Sequence, residues 1–147
     1  MSAALFHMIA GAPEPVGPFS HATEAEGWVF ITGQMPTYPG SPEAAIPEGI
    51  AAQTHLVIDN LAQVLAGLGL DLRDVLRVGA YLTHFEEDYP VFNRLYGEYF
   101  AAGRLPARTC IGVTALARGA RVEIDLIARR PSIAPSYAQR RGQVRAP

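Results

Sequence analysis

The sequence predicts an α+β fold, with two helices segregated on one face of a mixed sheet. Three observations carry that prediction. Short β-prone runs alternate with two longer segments of helical period; the runs fall in the order strand, strand, strand, helix, strand, helix, strand, strand; and no apolar run approaches the ~20 residues of a membrane span. With 147 residues, 49% of them hydrophobic, the chain has apolar material for one core and therefore one domain.

Leu5-Phe6-His7-Met8-Ile9 reads as an edge strand, closed by Gly11, Pro13 and Pro15, which block both helix and ladder. Gly17-Pro18-Phe19-Ser20-His21-Ala22 leads into a second extended piece. Glu26-Gly27 is a hairpin-turn signal, and Trp28 to Gln34 is a strongly β-prone run in which Gly33 allows close approach of a ligand to the backbone. Met35 to Pro47 is rich in Pro, Gly and Ser and reads as a loop. A helix is expected to start near Pro47, because proline suits a first turn. Its apolar positions Ile50, Thr54, Val57, Leu61, Val64 and Leu68 step by three and four, and Gly67 and Gly69 stop it.

Val75 to Thr83 is a strand whose mostly apolar composition predicts burial on both faces. Glu86-Glu87-Asp88 bring negative charge to the start of a second helix, with Pro90 expected in its first turn. Tyr89, Phe92, Tyr96 and Tyr99 form a stripe read as helix-to-sheet core rather than a cofactor box, and Gly103 is the expected stop. Asn93 lies off that stripe, available as a polar contact.

Leu105 to Val113 and Arg121 to Ala128 read as a β-hairpin turning at Ala115 to Gly119. Arg108 opens one strand just after Pro106, and its forked guanidinium suits a carboxylate gripped by two parallel hydrogen bonds. Glu123 sits inside an otherwise apolar strand, where a carboxylate needs a partner. Whether the two share a face depends on register, and an interface or surface ion pair is the other reading of the same residues.

Charge is uneven. Residues 1–72 hold seven acids and no bases, residues 73–128 hold seven of each, and residues 129–147 hold five arginines and no acids. That balance argues against a dedicated nucleic-acid binder, which needs a basic stripe. Without a basic region near the start there is no secretory signal pattern, so a cytoplasmic protein is expected. Cys110 is the sole cysteine, which excludes an internal disulfide and a cysteine-rich zinc site; the histidines lack ligand spacing, so no metal is expected. A small buried hydrophobe is the preferred role for the Cys110 side chain over a nucleophile. The domain is expected to span 1–129, with 130–147 a basic, flexible tail dispensable for catalysis.

With these residues in view the chain resembles the Rid family, the reactive intermediate deaminases also called YjgF-like proteins. The matching segments are Gly17-Pro18-Phe19-Ser20, Thr32-Gly33-Gln34, Gln53-Thr54 with Asn60-Leu61, Asn93 with Tyr96 and Tyr99-Phe100, Pro106 to Cys110, and Gly119 with Val122-Glu123-Ile124. The resemblance implies a chorismate-mutase-like α+β fold, a homotrimer whose sheets form a barrel-like core, and clefts between subunits. It implies hydrolysis of 2-imino or enamino acids to 2-oxo acids and ammonia without metal or cofactor. Arg108 then matches the arginine that binds the substrate carboxylate, and Glu123 the glutamate linked to the water and the leaving nitrogen. Gly33 and Cys110 match backbone positions that help hold the substrate, and Phe19, Thr32 and Asn93 complete the expected cleft. Phe19 stands where the best-studied deaminases have tyrosine, which removes a hydroxyl from the wall and leaves the substrate open. Two rival readings are a non-catalytic sensor of small acids and a ribonuclease or translation inhibitor. The net acidity of residues 1–128 weighs against the latter.

Overall fold

The structure, a computed structural model, describes residues 2–132. Eight elements carry the fold: β1 (Leu5–His7), β2 (Ala22–Ala25), β3 (Trp28–Gln34), α1 (Ile50–Gly67), β4 (Val75–Leu82), α2 (Phe85–Glu98), β5 (Ala107–Gly112) and β6 (Val122–Arg129). All six strands join one sheet in the order β1-β2-β3-β6-β4-β5, in which only the β4–β5 pair is parallel. The expected element order and the mixed sheet are both present. Alternate residues of the central strands (Val29 and Ile31, Val78 and Ala80, Val122, Ile124 and Leu126) are buried beneath α1 and α2. Among the described residues no helix covers the opposite sheet face, which leaves Trp28, Phe30 and Ile111 exposed.

Local chemistry explains most of the boundaries. Glu26 (φ 52) and Gly27 (φ 77) both take the left-handed conformation that a two-residue hairpin turn of right-handed twist requires, and they join β2 to β3. Helix α1 buries Thr54, Val57, Leu61 and Val64 along the predicted stripe. It ends at Gly67, and Gly69 (φ 73) lets Leu70 N–H turn back onto the Leu65 carbonyl at 2.9 Å. Two buried amides on α1 fasten loops: Asn60 Nδ2 donates to the carbonyls of Met35 (3.0 Å) and Thr37 (2.8 Å), and Gln53 Nε2 donates to that of Pro47 (2.9 Å).

Several expectations are corrected. Helix α1 starts at Ile50 after Gly49 (φ 82), so Pro47 precedes the helix instead of opening it. Helix α2 begins at Phe85, where Asp88 N–H already bonds the His84 carbonyl (2.9 Å), and this places Pro90 inside the helix beyond its first turn. Strand β4 is fully buried on its helix face but only in part on the other, where Gly79 is buried, Tyr81 half-buried and Arg77 exposed.

The largest correction concerns β5 and β6, which are not a hairpin. Strand β4 lies between them, parallel to β5 and antiparallel to β6, and the connection passes over its end through a 3-10 turn at Ala117–Gly119. Of the expected tail, residues 133–147 lie outside the described residues. Arg129 is still paired with Trp28, while Arg130 donates to both Glu24 oxygens (2.6 and 2.9 Å) and to the Leu68 carbonyl (2.8 Å). No helix among the described residues is long and apolar enough to cross a membrane.

Candidate active site

Parallel pairing of β5 with β4 sets Arg108 beside Val78 and Cys110 beside Ala80, so both side chains point to the helix face. The aromatic stripe of α2 meets Arg108 there. Its guanidinium carbon lies 4.6 Å from the Tyr96 ring centroid, and Nη2 donates to Asn93 Oδ1 at 2.8 Å and to Tyr89 OH at 3.2 Å. Only one guanidinium nitrogen is bonded among the described residues, so a planar cation is oriented by its neighbours while most of its five donors remain for a ligand. Burial pushes the Tyr96 hydroxyl up to about 12, which keeps it protonated against the arginine. Burial also raises the Cys110 thiol, with the Arg108 charge opposing, so the sulfur is a neutral thiol and a poor nucleophile.

On the other face of the sheet, β6 displays Glu123 and Asp125 among the residues that alternate with its buried Val122, Ile124 and Leu126. Glu123 accepts no hydrogen bond among the described residues. Desolvation by burial is the first cause holding its carboxyl above the usual carboxylate range, and the nearby Asp125 charge is the second. The carboxylate fits where Gly33 has no side chain: a Cβ on Gly33 would lie 2.9 Å from Glu123 Cδ and nearer still to an oxygen. Beside it opens a cleft of about 520 Å³ lined by Phe19, Thr32, Gly33 and Asp125 together with Phe30 and Ile127. Thr32 N–H donates to the His21 carbonyl (3.0 Å), which ties the Phe19 segment to β3.

The structure thus sorts the sequence-predicted residues into two groups. Arg108, Asn93 and Cys110 stand together at the β5 edge, while Phe19, Thr32, Gly33 and Glu123 stand together around β3 and β6 on the opposite face. Two strand spacings, roughly 9–10 Å, separate β5 from β6 even before the sheet's thickness is counted. Sequence reasoning assigned no site role to Tyr89, Tyr81 or Asp125. The signal for Asp125 was its two-residue spacing from Glu123, which places both acids on one face.

A six-stranded mixed sheet under two helices, with an oriented arginine at one edge and a half-buried glutamate beside a cleft on the far face, defines an α+β protein with a candidate site on each side of its sheet. The chain belongs to the Endoribonuclease L-PSP family, the YjgF and Rid proteins, whose family model matches residues 9–130. It is 40% identical over 119 residues to Protein DfrA of Myxococcus xanthus, covering 80% of this chain and 88% of that one. It is 35% identical over 117 residues to the 2-iminobutanoate/2-iminopropanoate deaminase of Mus musculus, covering 80% and 84% respectively. The solved structure of the Rid-family protein YyfA from Yersinia pestis superposes with a TM-score of 0.80 at 30% identity, covering 86% of this chain and 99% of that one.

Proposed function

We propose that the protein is a metal- and cofactor-independent deaminase that hydrolyses 2-imino and enamino acids in clefts between the copies of a homotrimer. The observation that carries this reading is the division of Arg108 from Glu123. One chain carries both halves of a carboxylate-and-imine site, facing away from each other, and a ring of copies brings the Arg108 edge of one protomer to the Glu123 cleft of the next. The uncovered sheet face, with Trp28, Phe30 and Ile111 exposed, is the surface such a ring would bury.

The chemistry needs little beyond these groups. Arg108 holds the substrate carboxylate with its unused donors and so presents C2 of the imine to the Gly33–Glu123 wall. A water placed by Glu123 adds to C2 as the C=N π bond opens toward nitrogen, and Glu123 takes the water proton. In the carbinolamine formed from the protonated imine, the nitrogen receives that proton from Glu123, the C–N bond breaks as the C–O double bond forms, the hydroxyl proton passes back to the Glu123 carboxylate, and the products are a 2-oxo acid and ammonia. A carboxyl raised above its usual range is a stronger base for the water and a ready carrier of that proton.

Two carboxylates on the cleft side, Glu123 and Asp125, would repel a phosphate backbone, which weighs against an RNA substrate. The mouse relative's printed name supports an imine substrate. The test couples a pyridoxal-phosphate dehydratase, which releases imino acids, to this protein and follows loss of the imine directly. Faster loss of at least one imine is expected. Binding of 2-oxo acids without any acceleration would make the protein a sensor instead.

A further inference from the structure

On the Glu123 face of the sheet, Tyr81 and Asp125 form a contact that the proposed mechanism does not use. Tyr81 OH donates to Asp125 Oδ2 at 2.7 Å. The residue directly opposite Asp125 is Gly79, and that vacancy makes the contact possible. A Cβ on Gly79 would lie 2.7 Å from Asp125 Oδ1 and 2.9 Å from Tyr81 OH, so the carboxylate and the hydroxyl share the space a side chain would fill. Tyr81 is in turn directly opposite Glu123. Asp125 is therefore fixed two residues along from Glu123 on one face of one strand, at roughly 6–7 Å by strand rise. It also lines the cleft beside Thr32 and Gly33.

We propose that Asp125, pinned by Tyr81 across the gap at Gly79, is a positioning residue that makes its strand neighbour Glu123 a better proton acceptor. This deepens the deaminase reading and rests on it for its kinetic consequence. A fixed negative charge beside a second, half-buried carboxyl disfavours losing that carboxyl's proton, and the tyrosine bond keeps the charge from swinging into solvent. The groups facing Glu123 are few: Asp125 on its own strand, Tyr81 and more distantly Arg77 on β4, and only Thr32 and Gly33, which do not titrate, from β3. Arg121, two residues before Glu123, is already engaged by Asp88 at 2.8 Å and Glu87 at 3.1 Å. Asp125 is thus the nearest charge that can act on Glu123 among the described residues. The Glu123 carboxyl is held above the usual carboxylate range in the same sense, first by its burial and then by the Asp125 charge.

The experiment is a titration of the Glu123 carboxyl carbon by NMR, in full-length protein labelled at glutamate side chains, with the signal assigned by its loss in Glu123→Gln. Asp125→Asn is expected to lower the Glu123 midpoint by roughly 0.5–1 pH unit, Tyr81→Phe to lower it by less, and Asp125→Glu to return it toward the wild-type value. Because Glu123 must be unprotonated to receive the water proton, the acid limb of kcat/KM should move to lower pH by the same amount in Asp125→Asn. An unchanged midpoint in Asp125→Asn overturns the proposal. If that variant does not fold, an unchanged midpoint in Tyr81→Phe overturns it equally. Midpoints that move as expected in a protein with no imine turnover leave the placement of Asp125 standing and sink the deaminase reading instead.

Discussion

Arg108 and Glu123 point to opposite faces of one sheet, with β4 lying between their strands. No side-chain rotation within one protomer can bring a guanidinium on the helix side to a carboxylate on the open side. If both act on one small substrate, they must come from different copies. Arg108→Ala and Glu123→Gln should therefore each be inactive alone yet recover turnover when unfolded together and refolded as a mixture. In a cyclic trimer mixed at equal amounts, about one cleft in four would pair an intact Arg108 with an intact Glu123. Turnover near a quarter of wild type is the expected reading. No recovery, in mixtures shown by native mass spectrometry to exchange subunits, would place the whole site in one chain.

The two residues should also fail differently. In the proposed mechanism Arg108 grips the carboxylate in ground and transition state alike, so Arg108→Ala should weaken 2-oxo acid binding and turnover together. Arg108→Lys should be little better, because a point charge cannot reproduce a fork already oriented by Asn93 and Tyr89. Glu123→Gln should keep most of the affinity for a 2-oxo acid and lose about 10²–10⁴-fold in kcat. Calorimetry beside single-turnover kinetics separates the two patterns, and wild-type kcat in Glu123→Gln would leave the glutamate a structural role only.

What was legible in the sequence was what local physics decides. Trp28 to Gln34 is rich in aromatic and β-branched residues and opens on Glu26-Gly27, so the β2–β3 hairpin was readable from propensity and turn chemistry alone. The α1 stripe was readable because its period repeats over many turns. The neighbour of β5 was not. A connection such as Val113 to Arg121 is long enough either to turn a hairpin or to step over one strand, and only the pairing of β4 on both edges decides which. Strand period 2 places Arg108 and Cys110 on one face of their strand and Glu123 on the face opposite Val122 on its own, but it does not relate one strand to another. Pro90 misled for a related reason, since the helix start depends on His84 accepting the first turn rather than on the proline. The grouping of Thr32 and Gly33 with Glu123, by contrast, follows from β3–β6 pairing between residues far apart in sequence, which the family resemblance implied and the local pattern did not.

Gly33 offers a direct test of the Glu123 pocket. Alanine there would force the Glu123 carboxyl away, because its Cβ would fall 2.9 Å from Cδ. Displacement of a catalytic group by such an amount costs about 10²-fold in rate, so Gly33→Ala should lose kcat on that scale while remaining folded by circular dichroism. Gly97→Ala is the companion. It lies within α2 with no atom within 4 Å of a new Cβ, so it should leave turnover unchanged and stabilise the helix by about 0.5–1 kcal/mol. Equal kcat in Gly33→Ala and wild type would show that Glu123 does not need its present place.

The last prediction concerns where the domain ends. Glu24 on β2 is buried, and Arg130 donates to both of its oxygens while His7 Nε2 lies 3.1 Å away. The Arg130 hydrogen bonds are the first cause that holds the Glu24 carboxyl below its usual 4.5, with burial opposing. A carboxyl whose folded value lies below its unfolded one adds stability above the unfolded value, and that stability is lost as pH falls through the folded value. Arg130→Ala removes the donors and leaves a buried carboxylate short of partners, so urea unfolding at pH 7 should show a loss of about 1–3 kcal/mol at fixed protein concentration. The difference from wild type should shrink as the pH falls from the usual carboxylate value through the lowered folded value, and close where Glu24 is protonated in both. Truncation after Ser132 keeps the Arg130 contacts and should leave the pH 7 midpoint in place. Truncation after Ala128 removes Arg129 and Arg130 together and should cost at least as much as Arg130→Ala. If Arg130→Ala unfolds at the wild-type midpoint at pH 7, the Glu24 contact contributes nothing to the fold and the domain can be taken to end before it.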